Sequence, residues 1–215
     1  MSQKFKIEPP KIPAGLEPAN FQDIYYDEDP YLGTCMIVNN RADNEEVYHA
    51  VLSQVIFKNV TFLNASFKRV DMTDVVFEYC DLSNASFSEG NIHRVTFKEC
   101  KLMGLDFSEA NLGNVSFENC IANLSDFVEA RLKQVIFDQT SLQSANFSDC
   151  KLSKVKLHQC DINDIDFTQT QLKGVDISTC TFERINVALA NLDGCEVSPE
   201  QAIGFAMLLG LKIKE

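Results

Sequence analysis

The chain has 215 residues, 45% of them hydrophobic, with 31 acidic against 19 basic side chains and a formal net charge of −12. That length and apolar content suit one folded domain with a sizeable core and exclude a disordered chain. The negative balance argues against direct binding to nucleic acid or to an anionic membrane, because like charges repel, and leaves room for a basic partner.

Residues 1–34 come first and are irregular, with Pro9, Pro10, Pro13, Pro18 and Pro30. Residues 1–13 carry no apolar signal core, and no stretch of the chain approaches the length of a membrane span. Eight cysteines without an export signal fit free thiols in a reducing compartment, so the expected location is the cytoplasm. Ala19-Asn20-Phe21 imitates the repeat that follows, but out of its frame. The whole segment is expected to form an N-terminal edge cover.

Residues 35–197 repeat with period five. From Leu52 to Val197 every fifth residue is apolar, through Phe57, Phe62, Phe67, Met72 and Phe77 and onward without a slip, with Ala122 the one small member. The residue two before each centre is apolar or small, as at Ala65, Val70, Ala85 and Val95. A strand alternates its side chains with period two, so positions i−2 and i point inward together. The next inward residue is three further on, which forces a corner at i+1 and i+2. Each pentapeptide is then a short strand plus a turn, unable to bury its inner face except by stacking on its neighbours.

A second period sets the number of sides. Cys80, Cys100, Cys120, Cys160 and Cys180 recur at multiples of twenty residues, with Thr140 in the gap. Twenty residues are four pentapeptides, hence a square coil. One column of centres is then Phe67, Phe87, Phe107, Phe127, Phe147 and Phe167, and the opposite one runs Phe57, Phe77, Phe97, Phe117 and Phe137. Leu, Ile and Met fill the sides between, as Ile92, Leu112, Leu132 and Leu152. The sides are named below by one coil in chain order: Phe107, Leu112, Phe117 and Ala122. Thirty such units make about 7.5 coils and a prism roughly 36 Å long. The fold class is an all-β solenoid, a quadrilateral β-helix.

Residues 198–215 read as a capping and dimerisation helix. Ser198 is the N-cap, Pro199 suits the first helical position, Gln201 completes a capping box and Gly210 is the stop. The helix is apolar nearly all round, through Ile203, Phe205, Ala206, Met207, Leu208 and Leu209. One face can close the last coil, and the rest is expected to meet a second copy in a homodimer. Leu211-Lys212-Ile213 alternates and could add strand pairing.

Catalytic chemistry finds no support. The cysteines all fall at the inward i−2 position, without the paired spacing of a zinc site. His49, His93 and His158 are scattered, and no nucleotide-binding glycine loop is present. No enzyme activity, metal or cofactor is expected. Charge is more informative. Between residues 85 and 169 the Phe107 side carries Glu89, Asp106, Glu109, Asp126, Glu129, Asp149 and Asp166 and no Lys or Arg. Between 90 and 174 the Leu112 side carries Arg94, Arg131, Lys133, Lys151, Lys154 and Lys173 and no Asp or Glu. Stacking like charges costs energy, so the segregation on the acidic side points to use by a partner, whereas the basic stripe reads equally well as balancing the neighbouring field.

The motifs Ala85-Ser86-Phe87, Ala110-Asn111-Leu112, Ala145-Asn146-Phe147 and Ala190-Asn191-Leu192 resemble the pentapeptide-repeat family. The resemblance covers about residues 35–197 and implies a right-handed coil, which spacing alone does not give. The layout of N-terminal cover, uninterrupted coils and the Ser198-Pro199-Glu200-Gln201 helix is similar to the Qnr and MfpA branch, closest to the chromosomal Qnr-type members of Gram-positive bacteria. That resemblance implies a dimeric DNA mimic that binds DNA gyrase or topoisomerase IV and protects them from fluoroquinolones, with the acidic Phe107 side facing the enzyme. Many Qnr proteins of Gram-negative bacteria have loops that interrupt the coils; here the frame is unbroken, as in MfpA-type members. The alternative is a structural or scaffolding repeat protein with an unrelated partner.

Overall fold

The computed structural model describes residues 6–26, 28–208 and 211–212, without the side chains of Met207 and Leu208. Seven eight-residue strands follow one another at twenty-residue intervals: β2 (Tyr31–Val38), β3 (Val51–Lys58), β4 (Asp71–Glu78), β5 (Asn91–Lys98), β6 (Asn111–Glu118), β7 (Arg131–Asp138) and β8 (Lys151–His158). A two-residue strand, β1 (Glu17–Pro18), precedes them, and β9 (Ile165–Asp166) and β10 (Ile185–Asn186) follow. Strands β1 to β8 form one parallel sheet in chain order, and β10 pairs β9. The register is twenty residues throughout, as Leu112 on Leu132 and Phe117 on Phe137. Only β1 departs from it, pairing Glu17 with Cys35.

Each long strand covers the Leu112 and Phe117 sides, bending at a corner between them. The other two sides stack through single bridges, such as Asp106 to Asp126 and Lys101 to Ile121. There the corners are closed turns. The carbonyl of Phe67 accepts from the N–H of Val70, and that of Phe107 from Ala110, at 3.1 and 3.0 Å. Every fifth residue from Thr34 to Gln169 has φ between 49° and 65°. This left-handed corner costs a residue with a Cβ about 1–2 kcal/mol. The hydrogen bonds from rung to rung offset that cost.

The core is two columns of rings. Phe57, Phe77, Phe97, Phe117 and Phe137 stack with centroids 4.6–5.0 Å apart. Phe107 lies over Phe127 at 5.0 Å and 18°, as a twenty-residue lap requires. All six of Phe67, Phe87, Phe107, Phe127, Phe147 and Phe167 are buried. The two columns meet edge-to-face, Phe107 against Phe117 at 5.9 Å and 83°. Each buried ring contributes on the order of 1.5–3 kcal/mol.

Seven cysteines are buried and Cys195 half-buried, all as free thiols. Their position was expected to want only a small apolar group. They also donate. Cys80, Cys100, Cys120 and Cys160 reach the carbonyls of Phe57, Phe77, Phe97 and Phe137 at 3.4 Å. Thr140, in the gap of the column, does the same to Phe117 at 3.2 Å. Burial pushes the Cys150 thiol up to about 12, which suits a structural group rather than a nucleophile.

Residues 1–34 do two things. Phe21 and Ile24, in a 3₁₀ turn at Phe21–Tyr25, are fully buried, with Phe21 edge-on to Phe62 and Phe67 at the first coil. Residues 6–13 run instead along the edge between the Leu112 and Phe117 sides. The Glu8 N–H donates to Asn114 Oδ1 at 2.9 Å, and the Lys11 N–H to Asp74 Oδ1 at 2.8 Å. Gln134 Nε2 donates to the Lys6 carbonyl at 3.3 Å. Three residues of polyproline-like chain, at about 3.1 Å each, match two rungs of about 4.8 Å, which is why a proline-rich strap fits here.

Asp74 anchors the strap while accepting both Arg94 Nε at 2.6 Å and Arg94 Nη2 at 2.8 Å. The Arg94 guanidinium, helped by the Lys11 N–H and opposed by burial, holds the Asp74 carboxyl below the usual carboxylate range. A depressed folded pKa means that this stabilisation is complete above the unfolded value, about pH 4, and is lost as pH falls through the folded one. Asp74→Asn should therefore cost about 1–3 kcal/mol at neutral pH. Thermal melts from pH 7 to pH 3 should show that gap holding above about pH 4 and closing below it.

At the other end the coil loosens. Phe182, Val187, Leu192 and Val197 are only half-buried. The capping box forms: Gln201 N–H donates to Ser198 Oγ at 3.2 Å and the Ser198 N–H to Gln201 Oε1 at 2.9 Å. Gln201 Nε2 also donates to the carbonyls of Ile177 and Cys180, tying helix α1 (Pro199–Leu208) to the coil beneath. The Leu211 N–H donates to the Ala206 carbonyl of α1, and Leu211 and Lys212 join no strand. Leu209, Gly210 and Ile213 lie outside the described residues.

Candidate protein-binding surface

The acidic Phe107 side is built from two positions of the repeat. Asp106, Asp126 and Asp166 stand just before the centre, where one carboxylate oxygen accepts the N–H two residues on, from Ser108, Val128 and Thr168 at 2.7–2.9 Å. Asn146 holds the same bond to Ser148 in the coil between. The acid at this position is thus partly explained by the turn, a structural use that the spacing did not reveal. Asp106 also accepts Ser86 Oγ at 2.8 Å, and Asp166 accepts Asn186 Nδ2 at 3.1 Å.

Glu109, Glu129 and Asp149 stand at the left-handed corner, exposed, with φ of 56–58°. They line the edge shared with the Leu112 side. Among the described residues none of the three has an ion-pair partner.

Glu89 differs from the rest of its column. Lys68 Nζ and Arg69 Nε from the coil below both lie 2.6 Å from its carboxylate. Lys68 first, then Arg69, holds the Glu89 carboxyl below its usual range. It therefore starts the ladder in sequence but adds little to its field. The vertical neighbours twenty and twenty-one residues earlier carry that signal in the sequence.

Elsewhere several acids have a cation or an imidazole beside them. On the Phe117 side Glu78 lies between Lys58 at 3.0 Å and Lys98 at 3.8 Å, and Asp138 meets His158 at 2.6 Å. The unpaired acids of the Phe107 side are thus Asp106, Glu109, Asp126, Glu129, Asp149 and Asp166. They span three rungs, about 14 Å, or roughly one charge per 2.4 Å of axis.

The apolar end forms the second candidate surface. Ile203 is 47% exposed, and Leu189 and Leu211 are also open. Phe205 and Ala206 are half-buried, Phe205 packing on Phe182 with centroids 6.0 Å apart. A depression between helix and coil is lined by Leu189, Leu192, Val197, Ala202 and Phe205. The side chains of Met207 and Leu208, and all of Leu209, lie outside the described residues. Among the described residues no group of three or more His, Cys, Asp or Glu could hold a metal ion. No described helix is long and apolar enough to cross a membrane.

Five-residue units wound four to a lap, with a parallel ladder on every side, define a pentapeptide-repeat β-helix. Family models agree: one described as a pentapeptide repeat region matches residues 90–167, and one described as pentapeptide repeats (8 copies) matches residues 65–104. Together they support placing the chain in the pentapeptide-repeat family. No curated protein matches it. Among solved structures it is similar to HetL of the cyanobacterium Nostoc, a pentapeptide repeat protein involved in heterocyst differentiation regulation. That match has a TM-score of 0.50 and 15% identity, over 78% of this chain and 83% of that one. It is also similar to full-length QnrB1, a plasmid-mediated fluoroquinolone resistance protein, with a TM-score of 0.46 and 16% identity over 82% and 99% of the two chains. A pentapeptide repeat protein of the Arabidopsis thaliana thylakoid lumen matches at 24% identity and a TM-score of 0.26, over 53% of this chain and 62% of that one.

Proposed function

We propose that this protein is a dimeric, non-enzymatic DNA mimic of the cytoplasm that binds DNA gyrase or topoisomerase IV and protects them from fluoroquinolones. The observation that carries the reading is the Phe107 side: six carboxylates in two parallel columns, without an ion-pair partner among the described residues, on a protein that elsewhere pairs several of its acids. Duplex DNA carries a charge about every 1.7 Å of axis. The acidic side is sparser, so it would imitate the field and rod shape rather than individual phosphates. A basic DNA-binding saddle would be drawn to it by long-range attraction. The resemblance of the repeat layout to the Qnr and MfpA branch supplies the partner class.

The half-buried last coil and the exposed Ile203 favour a second copy at this end, doubling the rod. Ile203→Asp should give a monomer by light scattering where the native protein is a dimer. A native monomer would remove the dimer from the reading.

The test of function is gyrase supercoiling with and without ciprofloxacin. Rescue of supercoiling at modest protein concentration supports protection. No effect on gyrase or topoisomerase IV favours the scaffold reading, in which a flat side serves another partner, since one fold carries many functions.

A further inference from the structure

The Leu112 side poses a separate question. Arg131, Lys133, Lys151, Lys154 and Lys173 are all exposed there. Among the described residues none of the five forms an ion pair. Arg131 stands directly on Lys151 in the ladder, so two cations sit on adjacent rungs. Like charges this close repel, and between residues 90 and 174 this side holds no carboxylate to relieve them; its acids lie beyond, Asp71 and Asp74 below and Asp193 above. The lower cation, Arg94, is taken by Asp74, so the free positive charge is confined to the upper rungs.

Beneath these cations the wall has a notch. Gly113 pairs with His93 on the rung below and with Lys133 on the rung above. A side chain at 113 would begin only 3.1 Å from His93 Nδ1. Its absence leaves a shallow depression of about 360 Å³, lined by His93, Asn111, Gly113, Arg131 and Lys133. An imidazole lies below, two cations lie above and an amide stands beside the opening. Each can donate to an anionic group.

The edges of this side restrict what can lie on it. One edge carries Glu109, Glu129 and Asp149; Arg131 and Lys151 follow two residues after Glu129 and Asp149. A duplex broad enough to overhang the side would press its phosphates against those carboxylates. The opposite edge is occupied by residues 6–13, an extended chain held through its own backbone by Asn114, Gln134 and Asp74. The prism therefore already accepts one extended segment running along its axis. From Gly113 to Lys173 is three rungs, about 14 Å, which about five extended residues would span.

We propose that the Leu112 side docks an extended acidic segment of a partner protein. One carboxylate sits in the notch at Gly113, and those that follow lie against Lys151, Lys154 and Lys173. The site is distinct from the acidic Phe107 side, does not depend on its function, and would give a partner two contacts of opposite sign across one edge.

The test is fluorescence anisotropy of a labelled eight-residue oligoglutamate with the full chain, at low and at moderate salt. Binding should be measurable at low salt and weaken as salt rises. Lys151→Glu combined with Lys154→Glu should weaken it by at least about tenfold, a change of about 1.4 kcal/mol. Gly113→Leu, which fills the notch, should also weaken it. Circular dichroism and melting should show both variants folded. Glu109→Lys with Glu129→Lys should leave oligoglutamate binding equal or tighter. Three results overturn the proposal: unchanged affinity in the Lys151/Lys154 variant, displacement of the peptide by inorganic phosphate well beyond chloride at equal ionic strength, or tighter binding of a DNA duplex oligonucleotide than of oligoglutamate. The second would mark a small-anion site and the third a nucleic-acid surface.

Discussion

Replacing Phe127 by alanine lowers the stability of the fold by about 3–5 kcal/mol. The ring is fully buried. It stacks on Phe107 at 5.0 Å and on Phe147 at 4.4 Å, and meets Phe117 and Phe137 edge-on at 6.3 and 5.9 Å. Four aromatic contacts are lost at once, and the wall cannot move in to fill the gap. The backbone around residue 127 is hydrogen-bonded to the rungs above and below, as Phe127 N–H to the Asn146 carbonyl at 2.7 Å and Asp126 N–H to the Leu105 carbonyl at 3.0 Å. Collapse would break those bonds, so the cavity stays open and its full cost is felt. Urea unfolding followed by circular dichroism measures the loss. Leu124→Ala is the control, since Leu124 is 61% exposed at a corner and its truncation should change stability by no more than about 0.5 kcal/mol. A loss below about 1 kcal/mol for Phe127→Ala would contradict a rigid ring column.

Glu109→Lys with Glu129→Lys abolishes protection of gyrase, while Glu89→Gln leaves it intact. The double reversal changes the local charge by four units in the middle of the row, and a basic partner then meets repulsion where it met attraction. A loss of affinity on the order of a hundredfold is expected. Among the described residues neither forms an ion pair, and both side chains are exposed, so melting should be nearly unchanged. Glu89 is already held by Lys68 and Arg69, so it offers a basic partner no free carboxylate to lose. The supercoiling assay with ciprofloxacin reads both variants. Full protection by the double variant would exclude this side as the contact, and loss of protection in Glu89→Gln would move the contact one coil lower.

Much of this architecture can be read from residue spacing because the fold is nearly one-dimensional. The five-residue period places Phe107 and Leu112 inward, and the twenty-residue return of Cys80, Cys100 and Cys120 stacks one lap on the next. Local chemistry at Ser198 and Gln201 likewise announces the helix start. What escaped reading depends on contacts between columns or on distant chain. Glu89 looked like its neighbours at 109 and 129 until the residues one lap earlier were set beneath it. Asp106 and Asp126 looked like free surface charge, although one oxygen of each closes a turn. The strap joins Glu8 to Asn114, 106 residues apart, and no periodicity announces such a contact. The half-buried centres at Phe182 and Val187 keep the repeat perfectly in sequence; their exposure follows from having only α1 above them.

The strap also bears on how the molecule comes apart. In a stack where each lap touches only the next, unfolding can begin at an end and fray inward one lap at a time. Residues 6–11 fasten the laps of Asp74, Asn114 and Gln134 to one tether, so none of these can peel away without the tether letting go. The laps above Gln134 have no such fastening among the described residues. Fraying should then start at the helical end, and a second copy seated there would act as a clasp, closing the end that the tether leaves free among the described residues.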